Sequence, residues 1–342
     1  MKLLVPALVA AAAVSLLTAC GAVGVGTTSS SAPAPAPRSS TTASAAARTV
    51  YPVTVTDCGG RTTTYTKAPE RVVTIDPSIA ESLLVLGLGD RIVGLTQFYG
   101  PDQQWAPVKA EMATLPVINK DGAYPSKEAV VAAQPDLVTS IYPYAFMDPL
   151  PDREGWQKLG INTYESLGEC DGAHATDFSL LYQDLRNLGV IFDVQQRAEV
   201  AVQTLQTRVE AAQQQLAAAG VHPGVILTHD GTKEHPGAYG STANAVITMA
   251  GGSYPFIDIP IERAPTWEEF VAAQPDVIWI IPDAGPSAAE VEAGLAADPR
   301  TKDLKAVRDK RFVVVPQADA TVESPRDVDG FEAFVAGLLA LR

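Results

Sequence analysis

The chain has 342 residues, 46% of them hydrophobic and 19% charged, with 25 Lys+Arg against 39 Asp+Glu and a formal net charge of −14. That length exceeds what one ordinary hydrophobic core supports, so two lobes are expected. Basic side chains this few, outnumbered by acids, argue against nucleic acid or an anionic membrane surface as a partner, because phosphate contacts need Lys and Arg.

The charge is unevenly distributed. Residues 1–48 hold three bases (Lys2, Arg38, Arg48) and no acid, which leaves 22 bases against 39 acids, a net of −17, for residues 49–342. Lys2 is followed by an apolar run from Leu3 to Leu17 and then by Leu17-Thr18-Ala19-Cys20-Gly21. A basic start, an apolar stretch and small residues describe a secretory signal peptide over residues 1–19. Leu-Thr-Ala-Cys matches the lipobox of bacterial lipoproteins, with cleavage before Cys20 and lipidation of its thiol; an ordinary signal peptide with an incidental Cys is the weaker alternative. From Thr27 to Ala47 every residue except Arg38 is Ala, Ser, Thr or Pro. Such a segment has too little apolar side chain to offset its ordering entropy, so residues 20–48 read as a lipidated Cys followed by a disordered spacer.

Beyond the spacer, short β-branched runs alternate with helical patterns. Strands are expected at Val72–Ile75, Ile92–Leu95, Leu137–Ile141, Val225–Thr228, Val277–Ile281 and Phe312–Val315. Helical segments are expected at Ala80–Leu86, Lys127–Ala133, Glu268–Ala273 and Phe331–Leu341. The alternation implies an α/β fold with mostly parallel sheets flanked by helices. VAAQPD occurs twice, at Val131–Asp136 and Val271–Asp276, an offset of 140 that also aligns Pro125 with Pro265, Ser126 with Thr266 and Glu128 with Glu268. Each copy reads as Pro, a hydroxyl N-cap, a helix with an early Glu, Pro-Asp and an apolar strand, which implies two lobes of similar topology.

Between the copies, Val194, Ala198, Val202, Leu205, Val209, Ala212 and Leu216 recur every three or four residues. They predict one long helix over 193–220, N-capped by Asp193 with Gln196 at the capping-box position and stopped by Gly220 and Pro223. The lobes are then residues 49–192 and 221–342, joined by a rod that permits only limited closure. Two cysteines remain after Cys20. Cys58 and Cys170 make a disulfide pair in an oxidising compartment, closing a loop worth about 4–5 kcal/mol by chain entropy. A metal pair is the alternative, and neither Cys has a nearby His or second Cys to support it.

With these features in order, the chain resembles bacterial ABC-transporter substrate-binding lipoproteins with one long interlobe helix, the class III binding-protein-like group that takes up iron–siderophore complexes, cobalamin or haem. The resemblance is carried by Pro69-Glu70-Arg71-Val72-Val73, Asp76-Pro77-Ser78, ESLLVLGLGD at Glu81–Asp90, both Glu…VAAQPD segments, MAGG at Met249–Gly252 and DVDGF at Asp327–Phe331. It implies a monomeric, non-catalytic protein with a ligand cleft between the lobes and no cofactor. It also implies a metal chelate, foremost a ferric siderophore, as ligand, and permease subunits of an ABC importer as partners. Glu128 and Glu268 are implied as docking acids, with Glu269 competing with Glu268; a helix-dipole role is the alternative.

Ligands of open α/β sheets bind beyond the carboxyl ends of the strands. There the sequence concentrates Tyr99, Trp105, Tyr124, Tyr142, Tyr144, Phe146, Tyr239 and Trp267. Tyr99, Trp105, Tyr124, Tyr142, Tyr144, Tyr239 and Trp267 are taken as ligand contacts, because rigid aromatic surfaces suit a large, flat ligand. Arg263 and Arg326 would serve an anionic ligand, and Asp76 or Asp283 a cationic one. A metal-ion site is the nearest rival: His229, Asp230, Glu234 and His235 cluster, with His222 close by, but His174 is the sole His of the N-terminal half. An extracytoplasmic enzyme is the rival of another class. Gly87-Leu88-Gly89 and Gly251-Gly252 lack a GxGxxG or phosphate-loop frame, and the chain has no GxSxG elbow. A cell-wall interaction protein remains a further alternative.

Overall fold

The computed structural model describes residues 48–97, 104–119, 124–168, 170, 175–234, 236–237, 240–259, 264–282 and 285–342. The N-terminal lobe opens with an antiparallel hairpin, β1 (Val53–Thr56) and β2 (Thr62–Tyr65). Five further strands follow: β3 (Val72–Thr74), β4 (Ile92–Thr96), β5 (Val117–Asn119), β6 (Leu137–Ser140) and β7 (Asn162–Glu165). They form a parallel sheet in the order β5-β4-β3-β6-β7. The helices of this lobe are α1 (Pro77–Val85), α2 (Lys109–Met112), α3 (Lys127–Ala132), α4 (Arg153–Lys158) and α5 (Ser179–Ile191).

The sheet is buried on both faces, which explains its unbroken apolar runs. Val72, Leu137 and Leu95 face the main core, while Val73 and Val138 face a second cluster with Val130 and Trp156. The hairpin and β7 carry no long apolar run, and the sequence did not announce them. The hairpin protects the edge of β7 instead: Thr63 Oγ1 and Tyr65 Oη donate to Thr163 O at 3.3 and 3.2 Å, and Glu165 N donates to Asp57 Oδ2 at 3.2 Å.

Helix α6 (Gln195–Ala219) crosses from one lobe to the other. Its 25 residues make a rod of ~38 Å, and the predicted stripe from Ala198 to Leu216 is buried. Gly220 ends it in the left-handed region, φ 62°. The expected Asp193 cap is absent. Asp193 has φ 57°, and its carboxylate accepts the Thr49 N–H at 2.7 Å instead of a helix N–H. A tight α5–α6 turn forces this: at Gly189 a Cβ would come within 2.6 Å of the Ala198 Cβ. The two helices can approach that closely only because position 189 has no side chain.

The C-terminal lobe contains β8 (Gly224–His229), α7 (Ser241–Met249), β9 (Gly252–Ser253), α8 (Trp267–Ala272) and β10 (Val277–Ile280). It continues through α9 (Ala288–Ala297), α10 (Lys305–Arg308), β11 (Phe312–Val314), α11 (Gln317–Ala320) and α12 (Asp327–Ala340). The sheet order is β11-β10-β8-β9, parallel throughout. Helices α5 and α12 both pack on α6, and one continuous apolar core runs from Leu83 and Leu185 through Val202 to Phe331 and Trp279. A shared core of this kind stiffens the connection between the lobes.

The repeat is structural as well as textual. Ser126 Oγ accepts from Ala129 N, and Thr266 Oγ1 from Glu269 N, both at 3.2 Å, as N-caps of α3 and α8. Gln134 and Gln274 both take positive φ, 49° and 46°. The expected Cys58–Cys170 disulfide is present, with 5.4 Å between the Cα atoms.

Candidate functional site

Asp76 follows β3 and caps α1: its carboxylate accepts from Ile79 N at 3.0 Å and from Ile141 N at 2.8 Å. The second bond ties the carboxyl end of β6 to that of β3. Asp76 is buried and already hydrogen-bonded within the fold, so it is not presented as a ligand-facing acid. Beyond β6 the chain turns through Pro143–Phe146, which sets the Tyr142 and Tyr144 ring centroids 6.3 Å apart. Tyr124, ahead of α3, is half-buried beside them; burial, the Asp76 carboxylate and Tyr144 push its hydroxyl up to about 12. Tyr144 is 52% exposed. Three phenols are therefore gathered near the carboxyl ends of β3 and β6.

The equivalent position in the C-terminal lobe holds a cavity of about 440 Å³. His229 ends β8, and Trp267 opens α8. The imidazole stands edge-on to the indole at 5.3 Å, and its Nδ1 donates to Pro236 O at 2.8 Å. The indole Nε1 donates to Lys233 O at 3.0 Å. Arg300, beyond α9, lays its guanidinium over the Trp267 ring at 4.5 Å from the centroid. Among the described residues, no group of three or more His, Cys, Asp or Glu side chains is placed to hold a metal ion. Asp230 Oδ1 instead accepts from Thr232 N and Oγ1 in a local turn.

Two expected ligand contacts sit at the lobe junction. Trp105 Nε1 donates to Asp329 Oδ2 of α12 at 2.6 Å, crossing between the lobes. Arg326 is buried, with Nη2 at 2.5 Å from Asp319 and Nη1 at 3.6 Å from Glu81 of α1. Both polar groups thus have partners within the protein. Around Arg326, Ser324 Oγ donates to Glu81 Oε2 at 2.6 Å, and Ser166 Oγ donates to Glu323 Oε2 at 3.2 Å. A Cβ at Gly168 would overlap the Glu323 carboxylate. Burial pushes Glu81 up to about 7 against the lowering pull of Ser324 and Arg326. Ser166 also donates to Asp184, as does Tyr164, and burial pushes Asp184 up to about 6.

Glu128 and Glu268 occupy matching positions in the first turns of α3 and α8, and both are exposed. The carboxylate of Glu269 accepts the Thr266 N–H at 2.8 Å, completing a capping box. Of the two neighbouring acids, Glu268 is the one turned to solvent. Tyr99, Tyr239, Arg263 and Cys20 lie outside the described residues, as does Asp283.

A sequence model of the periplasmic binding protein family matches residues 72–318, taking in both sheets, both repeat copies and α6. The chain belongs to that family. Among solved structures, this periplasmic binding protein is similar to an ABC-type Fe³⁺-hydroxamate transport protein from Saccharomonospora viridis, at 26% identity and a TM-score of 0.70, covering 84% of this chain and 99% of that one. A cobalamin-binding protein of Halobacterium salinarum is 36% identical over 91 residues, which are 26% of this chain and 22% of that protein's length. An uncharacterised ABC transporter substrate-binding lipoprotein of Bacillus subtilis is 43% identical over 47 residues, 14% of this chain and 15% of that one. The match thus spans less than a quarter of the length of either curated relative.

In this binding protein the sequence pointed to the tyrosines, Trp267 and the paired acids because each belongs to a strand end or a repeat. It gave no signal for Arg300, which lies in an ordinary Asp-Pro-Arg-Thr turn. Nor did it signal Glu81, Glu323 and Asp184, whose partners are distant in sequence.

Proposed function

We propose that this protein is the lipid-anchored solute-binding component of an ABC importer, holding a ferric siderophore between its lobes and passing it to the membrane permease. One observation carries the reading. The carboxyl ends of the two sheets each gather aromatic side chains, Tyr124, Tyr142 and Tyr144 at one and the buried His229 and Trp267 at the other, which supports a large, partly apolar ligand. Tyr99, Tyr239 and Arg263 belong to the same proposed contact set. Exposed Glu128 and Glu268, related by the repeat, are the proposed contacts to two permease subunits, and Cys20 is the proposed lipid attachment.

The continuous core through α6 supports modest closure on binding. Intrinsic tryptophan fluorescence titrated with ferric siderophores, cobalamin and haem tests the reading. Saturable quenching by a ferric siderophore is expected, and flat responses to all three ligand classes would refute it. The Halobacterium relative's name makes cobalamin the second ligand to try.

A further inference from the structure

Strands β3 and β6 are tied together at both ends by aspartates, one from each strand. At the amino ends Asp136, leading into β6, accepts the N–H groups of Glu70 and Arg71 ahead of β3. At the carboxyl ends Asp76, following β3, accepts the Ile141 N–H just beyond β6 at 2.8 Å. The second tie adjoins the gathered tyrosines, and the first lies at the opposite end of the strands. Oδ1 of Asp76 caps α1 through Ile79 N at 3.0 Å, which leaves Oδ2 for Ile141. Burial raises the Asp76 carboxyl, and the bonds from Ile79 N, Ile141 N and the Ser140 hydroxyl draw it back toward its charged form. Ser140 Oγ in turn accepts the Tyr142 N–H at 3.0 Å. Two successive backbone N–H groups are thus fixed by one buried carboxylate and the hydroxyl beside it.

The far end of the same turn is held separately. Phe146 is buried beneath the Arg153 guanidinium, which stands 5.1 Å from the ring centroid and is ion-paired with Asp57 and Glu165. Between the two anchors lie Tyr142, half-buried, and Tyr144, exposed. The Tyr124 hydroxyl feels both the Asp76 carboxylate and Tyr144, so the three phenols and the tie share one neighbourhood. Ordering loose side chains when a ligand arrives weakens binding, and a backbone fixed in advance therefore raises affinity.

We propose that Asp76 is a positioning residue for ligand binding: by holding the Ile141 N–H it sets the direction in which the chain leaves β6, and so places Tyr142 and Tyr144 beside Tyr124. This role rests on the solute-binding reading and goes further, by naming the residue that orders the tyrosine half of the contact set without touching the ligand. It also separates the two ties: loss of Asp136 costs stability, whereas loss of Asp76 costs affinity as well.

Two substitutions keep the cap of α1 and break the tie. Asp76→Ser offers an oxygen to Ile79 N but is too short to reach Ile141 N as well, and Asp76→Asn keeps the size but presents an amide N–H₂ where Ile141 N needs an acceptor. The full chain would be titrated by tryptophan fluorescence with a ferric trihydroxamate, a ferric tris-catecholate, haemin and cyanocobalamin. Both variants should weaken the tightest of the four about tenfold or more, while Asp136→Ala, the control for lost stability, stays within about twofold of wild type. Near-UV circular dichroism of the unliganded proteins should show a reduced tyrosine band in the Asp76 variants and an unchanged one in Asp136→Ala. Wild-type affinity in both Asp76 variants would overturn the proposal, as would an equal loss of affinity in Asp136→Ala. Binding of none of the four by the wild type would instead remove the solute-binding reading. The dichroism needs no ligand, and an unchanged tyrosine band in both Asp76 variants would overturn the positioning role by itself.

Discussion

Asp136 and Asp276, 140 positions apart, perform the same task in the two lobes. The Asp136 carboxylate accepts the backbone N–H groups of Glu70 and Arg71 at 2.9 Å each as the chain enters β3, and Asp276 accepts that of Val225 at 2.9 Å as it enters β8. Their own backbone N–H groups donate back to Arg71 O and Val225 O, both at 2.8 Å. The Pro-Asp of each repeat copy thus sets the register between a helix–strand unit and the strand beside it.

Replacing Asp136 by Ala should lower stability by about 1–2 kcal/mol, since two N–H groups lose a charged acceptor. Asp276→Ala should cost less, because Asp276 is more exposed and holds one N–H. Urea unfolding of the two variants checks the order, and equal costs would speak against the bond count as the cause.

The two acids at the start of α8 should separate cleanly. Charge reversal at Glu128 and Glu268 together is expected to leave ligand affinity unchanged and to abolish uptake in cells. Glu269→Ala should instead remove the capping-box acceptor of the Thr266 N–H, costing up to about 1 kcal/mol in unfolding, with uptake intact. Normal uptake by the Glu128/Glu268 double variant would rule out their docking role.

The lobe junction makes stability depend on pH near neutrality. Burial raises Glu81 to about 7 and Asp184 to about 6, against about 4 in the unfolded chain. The native state therefore holds these protons more tightly, and unfolding free energy falls as pH rises from about 5 to about 7. At a linkage of 1.36 kcal/mol per pKa unit, a loss of about 4 kcal/mol is expected between pH 5 and pH 8. Melting temperature should be higher at pH 5.5 than at pH 8, and Glu81→Gln should flatten the upper part of that dependence. A slope identical in the variant would exclude Glu81 as the titrating group.

Loss of the Cys58–Cys170 bond frees a loop of 112 residues. The double Cys→Ser variant is expected to lose about 4–5 kcal/mol by chain entropy, read as a lower urea midpoint with an increased m-value from a more expanded unfolded chain. A midpoint unchanged from the oxidised wild type would contradict that account.

Much of this architecture was legible without coordinates, for a physical reason. Helix α6 is written in a period that ~25 consecutive residues repeat, and the six predicted strands are apolar runs that must be covered on both faces. The N-caps at Ser126 and Thr266 involve partners only three residues away, so local chemistry suffices to predict them. The repeat likewise located Glu128 and Glu268, and the strand ends located Tyr124, Tyr142, Tyr144 and Trp267.

Side-chain assignments that depend on distant partners were decided only by the tertiary structure. Trp105 meets Asp329, 224 positions away, and Arg326 meets Glu81 across the lobe junction. Neither partner could be read from the sequence, because a strand-end aromatic and a loop arginine have the same local appearance whatever distant group they meet. Asp193 looked like a helix cap and instead holds Thr49, 144 positions earlier. The sequence by itself determined two lobes, one rod and a negative net charge. The folded chain decided which charges are neutralised internally and which, at Glu128 and Glu268, are left facing outward.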